Sequence, residues 1–194
     1  MGIPEITGHQ PGGQDDTMTP PLAPRQSPEM TILPEAPPTI PEWVVHPNPV
    51  WLSVRPSQDE ASAVIAHVSN VSYLHWIDHA AERALSTAGW TYKDLLEQQA
   101  MFFVARHEID YRLEADQNEL LYMATWVRDV RRVKSWRDTI IWRITEGQPA
   151  VVCTASTLWV HVDLDTRRPT RVPADMTAAL APLQHTDPPW RTRA

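Results

Sequence analysis

One histidine near the start of a predicted helix has the side chain and the position for acid–base chemistry. His67 precedes Ser69 and Asn70, either of which can supply the side-chain oxygen that caps a helix. An unperturbed imidazole titrates at about pH 6.5, and a nearby helix N-terminus favours its neutral form, which can accept a proton from water. The competing interpretation is that His67 only orders its loop through hydrogen bonds.

A group of basic side chains borders two predicted strands of an otherwise acidic chain. Binding of phosphate is one use for such a group, with Arg131, Arg132 and Lys134 as the candidate residues. The alternative is a solvated strand end whose charges discourage pairing with other sheets. The cluster consists of Arg128, Arg131, Arg132, Lys134 and Arg137.

Two further features argue against a metal ion. His75 and His79 are four residues apart on the predicted helix, but no third ligand stands at a recognised spacing. The single cysteine, Cys153, excludes an internal disulfide and a multi-cysteine site, and we expect it to be buried. Neither a metal nor another cofactor is therefore predicted.

Charge and hydropathy limit the partners and the location of the protein. The formal net charge of −7 gives no general attraction to nucleic acid or to anionic membranes. The first residues lack the charged and apolar regions of a signal peptide, and no later segment has the roughly 18 apolar residues of a membrane span. We expect a cytoplasmic protein that binds neither DNA nor a membrane.

The distribution of proline divides the chain. Most of the 19 prolines lie in the first quarter, where they prevent regular hydrogen bonding and where few apolar residues are present. We therefore predict a disordered leader at residues 1–45, one domain at residues 46–181 and a flexible tail at residues 182–194. The proline-rich runs of the leader are also suited to binding a partner as polyproline II.

Hydrophobic periodicity predicts an α+β domain with one long helix. A strand at residues 50–55 is followed by a helix that begins near Asn70 and ends before Gly89, then by a short helix at residues 92–99. Strands are predicted at residues 103–113, 119–130, 136–145 and 150–163, with a turn at residues 146–148. Such an order indicates an antiparallel sheet wrapped around the helix. The apolar face of this helix is predicted to contain Val71, Leu74, Ile77, Ala81, Ala84 and Ala88.

Four segments resemble, in order, those of the hotdog-fold thioesterases related to 4-hydroxybenzoyl-CoA thioesterase. Residues 67–76, HVSNVSYLHW, are similar to the family's H-V-N-N-x-x-Y-x-x-W segment at the start of its helix. The other matches are the strands at residues 104–111 and 126–132 and the closing strand at residues 161–173. The resemblance extends over roughly residues 51–180.

This resemblance implies a dimer, or a dimer of dimers, with active sites between subunits and an acyl thioester of coenzyme A or a carrier protein as substrate. The helix N-terminus would present backbone N–H groups of residues 71–73 to the developing oxyanion. Asn70 would be a substrate contact or a cap, and Tyr73 a substrate contact or part of the core. Implied substrate-binding positions are Ala63, Ser69, Asn70, Val71 and Tyr73.

The chain departs from the family at the catalytic acid. The family has an aspartate four residues before the motif histidine, where this sequence has Ala63. Alignment from the preceding Val54-Arg55-Pro56-Ser57 instead places the acid at Glu60, followed by a three-residue insertion. Either Glu60 reaches the substrate or it lies in solvent, since loop carboxylates are usually solvated. His67 is then the remaining general base.

Three functions are consistent with these residues. The first is hydrolysis of an acyl thioester by water that His67 or Glu60 activates. A second follows from resemblance to a natural-product branch that lacks the acid, adds glycine to an α,β-unsaturated acyl thioester by Michael addition and then hydrolyses it. The third is a non-catalytic module that binds acyl-CoA, because a fold does not determine its function.

Overall fold

The computed structural model describes residues 29–62 and 67–191, which form one antiparallel sheet and a few helices. The strand order is β1-β2-β4-β5-β6-β3. The predicted α+β class is confirmed, with β1 as an additional strand. The elements are β1 (Glu29–Ile32), β2 (Val50–Arg55), α1 (Asn70–Thr87), α2 (Tyr92–Glu97), β3 (Ala100–Tyr111), β4 (Leu121–Arg131), β5 (Lys134–Thr145), β6 (Gln148–Asp163) and α3 (Ala174–Leu180).

Helix α1 has a cap at each end that the sequence predicts. The Ser69 hydroxyl accepts a hydrogen bond from the Val71 N–H at the N-terminus. At the C-terminus Gly89 has a φ of +83°, a left-handed conformation that glycine adopts without steric cost. The buried face is rotated from the predicted one, since Val71 is 50% exposed. Its buried residues are Ser72, Tyr73, Trp76, Ile77, Ala80, Ala81, Ala84 and Leu85.

The sheet is curved, and its hairpins are tight. Register shifts occur in β3, in β4 and between β5 and β6, and such bulges bend a strand and increase its twist. The β5–β6 hairpin turns through Glu146 and Gly147, both with positive φ, as a two-residue hairpin of this twist requires. The predicted turn at residues 146–148 is confirmed.

The face of the sheet towards α1 forms the main core. Trp76 of α1 is completely buried against strand residues such as Leu52, Met123 and Val152. Cys153 belongs to the same cluster, and burial raises the pKa of its thiol to about 12. The prediction of a buried cysteine is confirmed. No helix in the described ranges is long and apolar enough to cross a membrane.

Segments near both ends of the described chain cover the opposite face of the sheet. Trp43 of the predicted leader and Trp190 of the predicted tail pack on a cluster that contains Trp142. The fully buried Trp142 also donates its indole N–H to the backbone oxygen of Thr39, at 3.1 Å. The predicted disorder is therefore wrong for residues 29–45, and the predicted flexibility is wrong for residues 182–191. Residues 1–28 and 192–194 lie outside the described residues.

The error has a physical origin in the aromatic residues. Proline excludes regular helices and interior strands, but it does not prevent an irregular segment from packing through its large side chains. Strand β1 pairs antiparallel with β2, from Glu29 opposite Arg55 to Ile32 opposite Leu52. These contacts offset the ordering entropy that the proline count alone suggested would dominate.

Strand β3 forms one edge of the sheet and pairs only with β6 among the described strands. Several of its apolar side chains remain accessible, including Phe103 at 45% and Tyr111 at 44% exposure. An unpaired edge with exposed apolar residues is a surface on which another strand can pair.

We expect removal of residues 1–45 to destabilise the domain. This deletion exposes the Trp142 ring and removes β1, at a cost of about 2–4 kcal/mol for the lost apolar burial. For a chain of this size such a cost lowers Tm by roughly 5–15 °C. Deletion of residues 1–28 is the matched control and should change Tm by less than about 2 °C by the same relation. Equal Tm values for the two truncations, measured by calorimetry, would contradict the packing role of residues 29–45.

A buried ion pair lies within the sheet. The Asp138 carboxylate accepts a hydrogen bond from the Ser156 hydroxyl at 2.6 Å, and the Arg128 guanidinium lies 3.4 Å away. Asp138 is fully buried, and this burial raises its pKa to about 6 even though Arg128 opposes the shift. The folded protein therefore holds a proton on Asp138 more tightly than the unfolded chain does.

This raised pKa predicts a pH dependence of stability. The folded state binds more protons between about pH 4 and pH 6, so the free energy of unfolding from this group falls as the pH rises through that window. A shift to about 6 corresponds to roughly 3 kcal/mol. Asp138→Asn should show a flatter dependence than the wild type in urea unfolding at pH 4 and pH 7. Parallel curves for the two proteins would refute the assignment.

Candidate functional site

His67 lies at a pocket formed where α1 begins and β3 ends. The cavity has a volume of about 290 Å³. The Nδ1 atom of His67 is buried and has no hydrogen-bond partner among the described residues. A buried imidazole nitrogen without a partner can still accept or donate a proton to a small molecule. The pocket is lined by His67, Val68, Asn70, Tyr73, Tyr111, Arg112, Leu113 and Glu114.

The start of α1 is held by a set of local hydrogen bonds. The Val71 N–H donates to the Ser69 hydroxyl at 3.3 Å, and the Ser72 N–H donates to the Ser69 carbonyl at 2.9 Å. The N–H groups of Val71 and Ser72, two of those expected to be available to an oxyanion, are thus already hydrogen-bonded within the chain. The Val71 bond is long, so this N–H retains the capacity to bind a stronger acceptor. Ser69 acts as the helix cap.

Aromatic rings form one wall of the pocket. The Tyr73 ring lies 5.0 Å from that of Trp76 and 5.4 Å from that of Tyr111. The Tyr111 hydroxyl donates to the backbone oxygen of Asn70, at 3.2 Å. Burial raises the pKa of Tyr73 above its ordinary range, so its hydroxyl stays protonated at neutral pH. Tyr73 therefore belongs to the core and also lines the pocket.

Glu60 does not line this pocket and is not in open solvent. One carboxylate oxygen accepts the Trp76 indole N–H at 2.6 Å, and the other accepts the Ser57 backbone N–H at 2.8 Å. The Glu60 backbone oxygen also accepts hydrogen bonds from the Ser69 N–H and the Ser72 hydroxyl. Glu60 thus connects the loop before α1 to the helix.

The described part of the chain does not include Ala63, since residues 63–66 lie outside it. The loop that carries this position is anchored on both sides. Ala61 bridges to Val68, and the Ser62 N–H donates to the His67 carbonyl at 2.8 Å. His67 therefore stands on a loop whose two ends are fixed to each other.

The predicted basic cluster separates into two parts, one buried and one exposed. Arg128 and Arg137 are buried, at 3% and 7% exposure. Arg131 is exposed and paired with Asp129 at 2.7 Å. The exposed Arg131, Arg132 and Lys134 form the β4–β5 hairpin, at the end of the sheet where α1 finishes. Within one chain they are therefore about a helix length, roughly 25 Å, from His67.

Sequence reasoning missed a polar cluster between α1 and β3. The Nε2 atom of His107 lies 3.9 Å from the Asp78 carboxylate, and its Nδ1 atom is 3.0 Å from the Thr157 hydroxyl. Burial raises the pKa of Asp78, with His107 opposing the shift. The period-two pattern of β3 placed His107 on the inner face, but no sequence signal connected it to Asp78. No three acidic, histidine or cysteine side chains in the described residues are grouped to hold a metal ion.

The pocket at the start of the helix can now be compared with known proteins. A family model described as the thioesterase-like superfamily matches residues 54–180. The chain belongs to this superfamily. The expected enzyme class, thioester hydrolase, and the resemblance described from the sequence are confirmed at this level.

Individual members of the superfamily agree with this assignment. An acyl-CoA thioesterase from Haemophilus influenzae, YbgC, is 29% identical over 127 residues, which cover 64% of this chain and 88% of the relative. A mutant 4-hydroxybenzoyl-CoA thioesterase complexed with 4-hydroxybenzoyl-CoA aligns with a TM-score of 0.63 at 18% identity, over 67% of this chain and 96% of that one.

A third match is a hypothetical protein from Staphylococcus aureus, solved in complex with CoA. It aligns with a TM-score of 0.63 at 12% identity, over 69% of this chain and 82% of that one. Structural likeness at such low identity establishes the shared hotdog-like fold. Residues 29–49 of this chain, which contribute to the covering of the outer face, precede the part that the family model matches.

The geometry of Glu60 predicts a loss of stability when it is changed. In Glu60→Gln one oxygen becomes an amide that faces an N–H donor, so we expect unfolding to require about 1.5–3 kcal/mol less free energy. Trp76→Phe removes the same hydrogen bond from the other side, and the double variant should lose less than the sum of the two. Urea unfolding measures all three.

The control is the exposed neighbour Asp59, because Asp59→Asn removes a charge from the same turn. We expect its stability to stay within about 0.5 kcal/mol of the wild type. Additive losses for Glu60→Gln and Trp76→Phe would show that the two side chains are not coupled.

Proposed function

We propose that this thioesterase hydrolyses acyl thioesters of coenzyme A or of a carrier protein, with water activated by His67. The observation that carries the proposal is the buried Nδ1 atom of His67, which has no hydrogen-bond partner among the described residues, in a side chain that lines a pocket beside the N-terminus of α1. Thioester hydrolysis needs a base to deprotonate water and donors to stabilise the tetrahedral oxyanion. Both requirements have candidates at this one position.

The oxyanion is assigned to the N-terminal turn of α1. The helix dipole places partial positive charge there, and the weakly bonded Val71 N–H is the proposed donor. An oxyanion is a stronger acceptor than the Ser69 hydroxyl, so transfer of this hydrogen bond favours the transition state over the ground state. Asn70 and Tyr73, which line the pocket, are proposed to contact the acyl thioester.

His67 rather than Glu60 is proposed as the base because of what each side chain already contacts. Both oxygens of Glu60 accept hydrogen bonds from N–H groups, and Glu60 is absent from the pocket lining. We assign Glu60 a positioning role, since it holds the loop that carries His67 against α1. Proton transfer from water to His67 then generates hydroxide, which attacks the carbonyl carbon and expels the thiolate.

A dimer is proposed to complete the site. Strand β3 offers an unpaired edge with Phe103 and Tyr111 exposed, which suits pairing with the same strand of a second copy. In an antiparallel pair the β4–β5 end of one subunit lies beside the His67 end of the other. The basic residues Arg131, Arg132 and Lys134 of one subunit are then proposed to bind the phosphates of a substrate at the other subunit's pocket.

The occupied carboxylate of Glu60 favours a second candidate reaction. An enzyme with no free acid at the thioester resembles the branch that adds glycine to an α,β-unsaturated acyl thioester. The glycine nitrogen would form a bond to the β-carbon, a proton would be added at the α-carbon, and hydrolysis would follow. A non-catalytic acyl-CoA-binding module is the remaining alternative.

The primary test replaces His67 by alanine and measures hydrolysis of crotonyl-CoA. Loss of a general base typically lowers kcat by about 100 to 10,000-fold, and circular dichroism should show that the variant is folded. Glu60→Gln, assayed below its own Tm, should keep kcat within about threefold, because Glu60 has no contact with the substrate in this proposal. The reverse order of effects would assign the base to Glu60.

Added glycine separates the two reactions. A product heavier than crotonate by one glycine, detected by mass spectrometry, would support the coupled Michael addition. Ordinary crotonate at high glycine, together with turnover of saturated acyl thioesters, would support simple hydrolysis. Binding of acyl-CoA without any turnover would favour the non-catalytic module.

A further inference from the structure

A second buried cation lies beneath the C-terminal half of α1, away from the His67 pocket. Arg137 is in the middle of the sheet, on β5, and only 7% of it is exposed. It lines a cavity together with Ala84 of α1 and Leu180 of α3. A guanidinium in this position is unusual, because a buried charge requires compensation from its surroundings.

The described residues compensate this charge poorly. The guanidinium makes one hydrogen bond among them, from Nη1 to the Thr125 hydroxyl at 3.3 Å. That hydroxyl is already shared with the Thr139 hydroxyl at 2.9 Å and the Asp138 carbonyl at 3.1 Å. No acidic side chain of the described residues forms an ion pair with Arg137 within 4.0 Å.

The adjacent acidic residue is occupied elsewhere. The Asp138 carboxylate is paired with Arg128 and Ser156, and neighbouring residues of a strand point to opposite faces of the sheet. Burial lowers the pKa of Arg137 to about 10, with Asp138 opposing the shift from a distance. Arg137 nevertheless remains protonated at neutral pH, so a full positive charge faces the cavity.

The cavity beside Arg137 has the size and lining for a small amphipathic anion. Its volume is about 220 Å³, below the roughly 300–1,000 Å³ of sites for drug-sized ligands. Most of its wall is apolar or small, and no aspartate or glutamate contributes to it. Asn48 also lines the cavity. The Nε2 atom of the lining residue His46 is hydrogen-bonded to the Ala181 carbonyl, at 2.9 Å. The apolar wall includes Val50, Ala84, Ala88, Val127, Ala179 and Leu180.

This cavity is separate from the proposed catalytic pocket of the same chain. Ala84 and Ala88 lie 14 and 18 residues after Asn70 along the helix. At 1.5 Å per residue, these positions are roughly 20–27 Å from the start of α1. The two cavities also share no lining residue.

We propose that the Arg137 cavity binds a free short-chain carboxylate, with the guanidinium as its anchor and the apolar wall around its hydrocarbon chain. A carboxylate matches the planar fork of a guanidinium. It would supply a negative charge to Arg137, which forms no ion pair among the described residues, although Glu82 lines a neighbouring cavity that Arg137 also borders. A phosphate with its larger hydration requirement fits an apolar wall less well. The proposal does not depend on the assignment of His67.

The experiment compares hexanoate with hexan-1-ol, which has the same chain length and no charge, as additives to the full-length protein. Ligands that bind only the folded state raise Tm, by an amount that grows with concentration above Kd. We expect millimolar hexanoate to raise the wild-type Tm by several degrees and hexan-1-ol to leave it within about one degree. Calorimetric titration with hexanoate should give one site per chain.

Variants locate the site. Arg137→Met keeps the length and removes the charge, and it should abolish the hexanoate shift. Ala88→Met leaves Arg137 in place and adds a larger side chain to the cavity lining, so it should weaken the shift by at least tenfold in hexanoate concentration. Arg143→Met, on the same strand but outside the cavity, and His67→Ala should both retain the wild-type shift.

Several results would overturn the proposal. One is a hexan-1-ol shift equal to that of hexanoate, and another is an unchanged hexanoate shift in both Arg137→Met and Ala88→Met. Loss of the shift in His67→Ala alone would place the carboxylate in the catalytic pocket instead. If Arg137→Met does not fold, the two wild-type titrations and Ala88→Met still decide the question.

Discussion

The burial of one indole ring constrains everything around the proposed site. Trp76 is completely enclosed between α1 and the sheet, and leaving its N–H without an acceptor would cost about 1–3 kcal/mol. Glu60 supplies that acceptor and at the same time closes a short turn through Ser57. This carboxylate therefore adds to the backbone contacts that hold the loop before α1, on which His67 lies, against the helix. A change at either partner is therefore expected to lower the stability of this region, although neither Glu60 nor Trp76 lines the pocket.

This arrangement explains why the catalytic acid is hard to assign by alignment. A carboxylate is present close to the expected position in the chain, but its oxygens point towards the core and the preceding turn. In this structure the Glu60 carboxylate instead holds the backbone of the turn at Ser57 and the indole of Trp76. We therefore propose that the base is another residue, and His67 lines the pocket with an Nδ1 atom that has no hydrogen-bond partner in the described part of the chain.

The sequence predicted the elements whose signals are local. The cap at Ser69, the glycine after α1 and the β5–β6 turn each depend on a few adjacent residues, and all three are present in the structure. Contacts between distant segments were not predictable in this way. The pairing of Glu60 with Trp76 and of Asp78 with His107 joins separate elements, and neither leaves a periodic pattern. Residues 29–45 were misjudged because proline content was weighed above the tryptophan that anchors them.

The basic residues show the same division between local and distant information. Arg128 and Arg137 were grouped because they are close in the sequence. In the structure their side chains have different neighbours, because side chains alternate along a strand and β4 contains a bulge. Arg128 lies beside the acidic Asp138 of the adjacent strand, whereas the only hydrogen bond of Arg137 to the described residues goes to the Thr125 hydroxyl. The number of charged residues in a segment of the sequence therefore does not predict which of those charges a ligand can reach. Whether a ligand can reach a charge depends on the burial and the ion pairing of its side chain, and both are determined by the fold.

The position of Cys153 has a practical consequence for spectroscopy. It is the only cysteine of the chain, it is fully buried in the core, and its thiol is almost entirely protonated at neutral pH. Maleimides and oxidants react with accessible thiolates, so we expect Cys153 to react with them very slowly in the native protein. A cysteine introduced on the surface would then be the one reactive thiol of the folded chain. Fluorophores or spin labels could be attached to it while the native cysteine remains in place.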